Sequence, residues 1–517
     1  MQTIIILLIM ICAWALPNIA SAERILFIPL DNRPVCYEYV LDTMRKAKVD
    51  IKTPPPELLP SSRANGDVEG MLTWLEREAP QASAVVMSTD ALIYGGLVGS
   101  RTHQIPLAEL DKRVERLLAI VDRLHISVYA YSTIMRTPRM SSGRVEPPYY
   151  GQYGAQIFRY TQLQDMEGSI GLSHKQRKEY AALKAQIPAD HLADWQARRD
   201  KNLAINKKLI EATKADKFSY FILGKDDTMP FSASHRESVL LSKVSAGLGK
   251  DKYINFVGAD QLGMILCMRA ITDFQGSIPF VYAQYNQGVG TQTVPTYEDS
   301  LIGDTVEGHI WALGGYPTRF LDRADLVLMV NTPIKGKTLE AASPENTTGN
   351  KKNKPEQLLA RSRAYMQRGY PVAMGDVAYG NGSDNALVKK IIDTGMTYQF
   401  AAYAGWNTAS NTLGYAMVQG LLAKQMTTTD KNQVLLVRYA DEWAYQANVR
   451  GQIYSSVVYP QNLNGQDLGK ATTRVQAQVQ KTLRSFVAEH LQEPAASKLQ
   501  VTLPWERMFE VYVHTAR

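Results

Sequence analysis

An α/β fold built on parallel strands is what this sequence predicts, and three features carry the expectation. Short runs rich in Val, Ile, Phe and Tyr recur along the chain, amphipathic stretches separate them, and the runs lack polar alternation. Strand, helix, strand at that rhythm gives parallel βαβ units. Strands without alternation belong to a sheet covered on both faces.

The runs are Ile25–Leu30, Ala84–Met87, Ser127–Tyr131, Phe218–Leu223, Tyr253–Val257, Phe280–Ala283, Leu326–Val330, Val372–Met374, Phe400–Tyr403 and Val434–Val437. Segments between them, such as Leu107–Leu124, carry apolar residues at helical spacing. These candidate strands outnumber those of a (β/α)8 barrel. The layout favours a barrel-like first part, residues 23–290, followed by a second α/β part, residues 291–517. Two doubly wound α/β domains are the alternative. Residues of about 156–217 are charged and helical and read as an inserted arm, while 336–356 are polar, proline-interrupted and loop-like.

The first residues predict export. Thr3 to Leu16 are almost wholly apolar, and Ala20-Ser21-Ala22 has the small-x-small pattern cut by signal peptidase. A signal peptide over 1–22, cleaved after Ala22, places the mature chain in the periplasm or outside the cell, with no stable membrane insertion. No Lys or Arg precedes the apolar run, so an uncleaved anchor is the competing reading. The roughly 495 remaining residues are too many for one ordinary core. The net charge is +7, with Lys and Arg interleaved among Asp and Glu, which argues against a nucleic-acid partner. Cys36 and Cys267 survive processing, as one disulfide or as two buried thiols.

Polar residues gather just after the apolar runs, where the strands of a parallel sheet present ligands. Asp31 and Arg33 follow the first run; Asp90 and Tyr94 follow the second; Arg136 follows the third. Asp226-Asp227, Asp260, Asp376 with Asn381, Trp406-Asn407 with Asn411, and Asp441 follow later ones. A single Asp there is commonly a helix cap or turn former, but so many strand ends of one kind predict a convergent polar face. Adjacent carboxylates such as Asp226 and Asp227 repel, so one stays protonated unless a cation compensates, which suits an acid/base pair. The competing role is an N-cap pair for a helix near Ser232–Leu241. Trp406 beside Asn407 and Asn411 suits a sugar ring, stacked on the indole and bridged by amides; a buried Trp with capping Asn residues is the alternative.

Other chemistries lack their motifs. There is no Gly-x-Ser-x-Gly elbow, Walker loop or His-Glu-x-x-His, and Gly288-Val289-Gly290 is no dinucleotide fingerprint. No cofactor and no dedicated metal site are expected. Asp31, Asp90, Asp226, Asp260 and Asp376 still offer hard oxygen ligands, which leaves a divalent-metal hydrolase as a rival reading.

The motifs Pro29-Leu30-Asp31-Asn32-Arg33-Pro34-Val35, Asp90 through Val98, Thr133-Ile134-Met135-Arg136, Gly258-Ala259-Asp260, Val330-Asn331-Thr332-Pro333, Gly405-Trp406-Asn407-Thr408 and Leu503-Pro504-Trp505 resemble a bacterial domain family of unknown function. The resemblance spans almost the whole mature chain and implies no activity. A looser similarity, confined to two short segments, is to retaining hexosaminidases of the (β/α)8 barrel type. These carry an Asp-Asp pair after a strand and a downstream Trp-Asn segment. That similarity implies that Asp226 steers a substrate 2-acetamido group, that Asp227 is the general acid/base, and that Trp406, Asn407 and Asn411 hold the sugar.

The sequence therefore predicts an exported glycoside hydrolase acting on an envelope or host glycan, one that contains N-acetylhexosamine if the similarity holds. Asp226 and Asp227 are the catalytic candidates. Asp31, Arg33, Asp90, Tyr94, Arg136, Asp260, Asp376, Asn381, Trp406, Asn407, Asn411 and Asp441 are the substrate-binding candidates. The rivals are a divalent-metal hydrolase of phosphate or amide bonds and a non-catalytic carbohydrate-binding protein.

Overall fold

In a β-strand successive side chains point to opposite faces, and here both directions are apolar. In a computed structural model, which describes residues 23–139, 145–350 and 352–515, this alternation sorts the strands between three cores. The segment 1–22 expected to be a signal peptide lies outside the described residues.

The first sheet comprises β1 (Ile25–Ile28), β2 (Ile51–Lys52), β3 (Ala84–Ser88), β4 (Ser127–Ile134), β5 (Tyr220–Lys225) and β6 (Tyr253–Val257). Their spatial order is β2-β1-β3-β4-β5-β6 and every pairing is parallel. Then follow β7 (Phe280–Tyr285), β8 (Tyr316–Pro317), β9 (Leu326–Asn331), β10 (Leu339–Glu340), β11 (Val372–Asp376), β12 (Tyr379–Gly380) and β13 (Ala402–Ala404). Five of these form the second sheet, β13-β11-β9-β7-β8, again wholly parallel. β10 and β12 pair with each other, and β14 (Leu499–Thr502) and β15 (Tyr512–Thr515) form an antiparallel ribbon.

Both large sheets are open, with β2 and β6 at the edges of one and β13 and β8 at the edges of the other. The strands form two doubly wound units, not a barrel-like first part. In each unit the second strand lies outside the first and the rest follow in sequence on the other side. The passage between sheets falls between Val257 and Phe280.

One core is shared. Ile25 and Phe27 of β1, Ala84 and Val86 of β3, and Tyr220 and Ile222 of β5 face a central cluster that also receives Leu326, Leu328 and Val330 of β9 and Ala402 and Ala404 of β13. The intervening residues, Leu26, Val85 and Phe221 among them, face the outer core of the first sheet. Val327, Met329, Val372 and Tyr403 face the outer core of the second. Between the sheets lie the helices Leu262–Gln275 and Ala409–Leu422. Every residue of the latter is buried, the polar Ser410, Asn411, Thr412 and Gln419 included.

Three helices, Tyr150–Ser169, His174–Gln186 and Ala189–Lys214, connect β4 to β5, and the middle one buries no residue. Val434–Val437, read as a strand from its sequence, lies in the helix Thr428–Arg438. Four apolar residues in a row do not distinguish strand from buried helix. The deciding signal is Thr427, whose hydroxyl accepts from the Asp430 amide at 3.1 Å and caps the helix. The helix continues into a π-helical segment, Tyr439–Val449, so Asp441 follows a helix and not a strand. Cys36 and Cys267 are separate buried thiols. Among the described residues no helix is long and apolar enough to cross a membrane.

The two central helices approach closely at Gly414, where an added Cβ would lie 2.7 Å from Gln261 Cγ and 2.9 Å from its Cβ. Gly414→Val is expected to cost about 1–3 kcal/mol, measured as a fall in the urea midpoint. Because the sheets share one core, far- and near-ultraviolet circular dichroism should report a single coincident transition in both proteins.

Candidate functional site

The site forms where the two central helices begin. β6 turns through Gly258-Ala259-Asp260 into the helix Leu262–Gln275, and β13 turns through Gly405-Trp406-Asn407-Thr408 into Ala409–Leu422. Gly258 has φ of 100°, a conformation that favours glycine. A Cβ on it would lie 2.5 Å from Ser410 Oγ, so the turn also needs an absent side chain. A small cleft opens there, lined by Asp226 and Asp227 past β5, Asp260, Tyr297, Asn407 and Asn411. Its free volume is about 20 Å³, room for about one water.

The acidic pair is compensated residue by residue. Arg101, on the helix Leu97–Thr102, donates to Asp226 Oδ2 from Nε at 2.9 Å and from Nη2 at 2.6 Å. Arg136 donates from Nη1 to Asp227 Oδ2 at 2.8 Å and from Nε to Glu146 Oε1 at 2.7 Å. Glu146 also stands 3.8 Å from Arg101, so three carboxyls share two guanidinium groups. The Asp226 side chain is sealed, whereas that of Asp227 is 28 % exposed towards solvent. Neither caps a helix: the helix Ala233–Val244 is capped by Ser232, which accepts from the His235 amide at 3.0 Å.

Opposite lies a second buried ionic group. Arg33 spans Asp31 and Asp260, at 2.8 Å to Asp31 Oδ2, and at 2.6 and 3.1 Å to the two oxygens of Asp260. Trp505 lies 5.1 Å from its guanidinium carbon. Burial raises the Asp260 carboxyl above its usual range, with Arg33 opposing the rise. Asn411 Nδ2 reaches Asp260 Oδ2 at 3.5 Å, while its own Oδ1 is buried without a protein partner. That oxygen is available to a donor in the cleft.

Other sequence candidates stand behind or away from this cleft. Asp90 is buried beneath the first sheet's end, where Ser132 reaches it at 3.5 Å; burial, with the Asp226 charge adding, pushes it up to about 7. Asn381 donates its amide to the Asn407 carbonyl at 2.7 Å, holding a cleft residue without lining the cleft. Trp406 is buried, its ring 5.6 Å from that of Phe509. Tyr94 is buried and stacks on His103. Asp376 accepts from Asn331 at 2.9 Å, Tyr403 at 2.9 Å and the Asp384 amide at 2.7 Å, serving the end of the second sheet. Asp441 accepts from Tyr39 at 2.8 Å and Gln446 at 3.1 Å.

Several residues escaped the sequence reading. Arg101 and Glu146 do not sit at strand ends. Tyr297-Glu298-Asp299 lies in an irregular loop that reaches across from the second sheet. Lys225 Nζ pairs with Asp299 at 2.5 Å, and Glu298 Oε1 accepts from the Ser410 amide at 2.6 Å. Burial pushes Glu298 up to about 7, and its Oε2 has no protein partner. Two adjacent acids in a loop rich in Pro, Thr and Ser were the available signal.

Among the described residues no group of three or more His, Cys, Asp or Glu side chains is arranged to hold a metal ion. Asp31, Asp226 and Asp260 instead direct their oxygens at arginines.

The chain belongs to the family described as "Protein of unknown function (DUF4127)", which matches residues 25–514. No curated protein and no solved structure matches it.

Two outcomes follow from the buried charges. Arg101→Ala leaves Asp226 as an unpaired buried carboxylate and should cost about 3–5 kcal/mol; adding Asp226→Asn should restore part of that in urea unfolding. Glu298 has a folded pKa above its unfolded value, so its contribution is fully present below about pH 4.5 and is lost as pH rises through about 7. Glu298→Gln should therefore gain stability relative to the parent between pH 5 and 8. A difference constant over that range would contradict the assignment.

Proposed function

We propose that this protein is an exported glycoside hydrolase acting on an envelope or host glycan, with its reacting carboxylates in the cleft at the strand ends. The observation that carries the reading is convergence. Asp227 and Asp260 come from one sheet and Asn407 and Asn411 from the other, and all four line one cleft.

The roles follow from each group's partners. Arg136 holds Asp227 at 2.8 Å with its side chain partly open to solvent, which fits a carboxylate that takes a proton from water or attacks the sugar. Cleavage also needs a proton donor to the leaving oxygen, and Asp260 is the carboxyl at the cleft that burial raises, against the opposing pull of Arg33. Asp226, sealed against Arg101, fixes the backbone and charge beside Asp227. Cleavage then adds one water across the glycosidic C–O bond: the leaving oxygen gains a proton and the sugar carbon gains hydroxyl. Asn407 and Asn411 supply the amides that a sugar's hydroxyl or acetamido groups need. A sugar ring requires far more than the space for one water, so the Tyr297 side chain, which lines the cleft and is partly exposed, has to swing aside as substrate enters.

Export rests on the apolar run before Ala20-Ser21-Ala22. Amino-terminal sequencing of the protein recovered from the cell envelope or medium should begin at Glu23; a start at Met1 in the membrane fraction would overturn it.

Hydrolysis of a panel of 4-methylumbelliferyl glycosides, N-acetylhexosaminides included, tests the chemistry. Asp227→Asn and Asp260→Asn should each lower kcat by about 10²–10⁴-fold. On a 2,4-dinitrophenyl glycoside, whose leaving group needs no proton, Asp260→Asn should recover and Asp227→Asn should not. Silence of the wild type across the panel, or full activity in Asp227→Asn, rejects the reading.

A further inference from the structure

A second and much larger cavity, about 560 Å³, opens beside the cleft between the π-helical segment and the loop after β10. Its lining is chemically unlike the cleft. Among the described residues its lining has amides, hydroxyls, three aromatic rings and a single cation, Arg450, with no carboxylate. The floor is rigid because its amides bond one another. Asn385 receives bonds from Trp443 at 2.8 Å and Asn448 at 2.9 Å, and its own amide groups are held by Asn346. Arg450 donates to Gln446 at 2.7 Å and lies over Phe509.

The rim is different. Gln452 is exposed and Gln466 half-buried, and their side chains have no bonding partner among the described residues. Tyr459 is 66 % exposed, with its ring 5.4 Å from that of Tyr454. An exposed ring packed on a half-buried one, beside free amides and over a satisfied floor, offers an apolar face for a ring and donors and acceptors for hydroxyls. It offers nothing to neutralise a cation.

The two cavities share a wall. Asn381 donates its amide to the carbonyl of Asn407, which lines the cleft, and its own carbonyl lies 3.4 Å from Arg450, which lines the groove. On the same wall Phe509 of the groove packs on Trp406, the residue before Asn407. The groove and the cleft are thus neighbours across one layer of residues.

We propose that this groove binds an uncharged or acidic oligosaccharide segment, making the substrate a polymer gripped several residues from the bond that is cut. The choice of ligand class rests on the glycoside hydrolase reading; the groove's binding capacity does not depend on catalysis.

The test is binding to an array of neutral and acidic tetra- to hexasaccharides by the full chain, by Asp227→Asn and by the rim variant Tyr459→Ala/Gln452→Ala. The wild type and Asp227→Asn should retain the same oligosaccharides, and the rim variant should bind them about tenfold or more weakly. Circular dichroism and thermal midpoint should be unchanged in the rim variant, whose substituted side chains are outside the core. On substrates that are turned over, the rim variant should raise KM for oligosaccharides and leave single-sugar aryl glycosides unaffected. Retention of no oligosaccharide by the wild type, or equal retention by the rim variant, overturns the groove. Array binding without turnover of any substrate overturns the hydrolase reading and leaves the groove standing.

Discussion

Everything at the candidate site depends on how closely two buried helices meet. Leu262–Gln275 and Ala409–Leu422 each begin at the C-terminal edge of a different sheet, and their first turns touch at Gly258 and Ser410 and again at Gly414 and Gln261. That contact sets Asn411 beside Asp260. Larger side chains at either glycine would push the sheets apart and divide the cleft. The same helices supply much of the shared core, so stability and site geometry rest on one packing arrangement.

Burying many acids at that junction has a cost, and the structure meets it with arginine. Arg33, Arg101 and Arg136 each bridge carboxyls that the backbone brings together. A buried pair of this kind is weak evidence of stabilisation, because desolvation takes back most of the attraction. Its effect here is to fix where each carboxyl stands. Asp90 and Glu298 lack a cation of their own, and burial pushes each up to about 7. Two buried carboxyls near the cleft thus titrate close to neutral pH, the range in which acid/base chemistry operates.

The sequence disclosed the strands well and their grouping poorly. Runs such as Ala84–Met87 and Leu326–Val330 are apolar at every position because both faces are covered, and that signal is local. Whether the strands close on themselves or split into two sheets depends on pairings between residues far apart, which composition does not encode. The rule that polar residues follow strands found Asp226, Asp227, Asp260, Asn407 and Asn411 together. It also swept in Asp376, which ties up the end of the second sheet, and Asp441, which follows a helix. It missed Arg101, Glu146 and Glu298, because each reaches the site from a helix or loop whose position is set by tertiary packing.

In the proposed hydrolase, a carboxylate at position 227 takes part in breaking a glycosidic bond. Chemical rescue tests it most directly: Asp227→Ala, assayed on an activated aryl glycoside that the wild type hydrolyses, with and without added sodium formate. Activity should be lost in the variant and return in proportion to formate, which enters the space the side chain leaves. A variant that is as active as the wild type without formate, or one that formate cannot restore despite native circular dichroism, contradicts it.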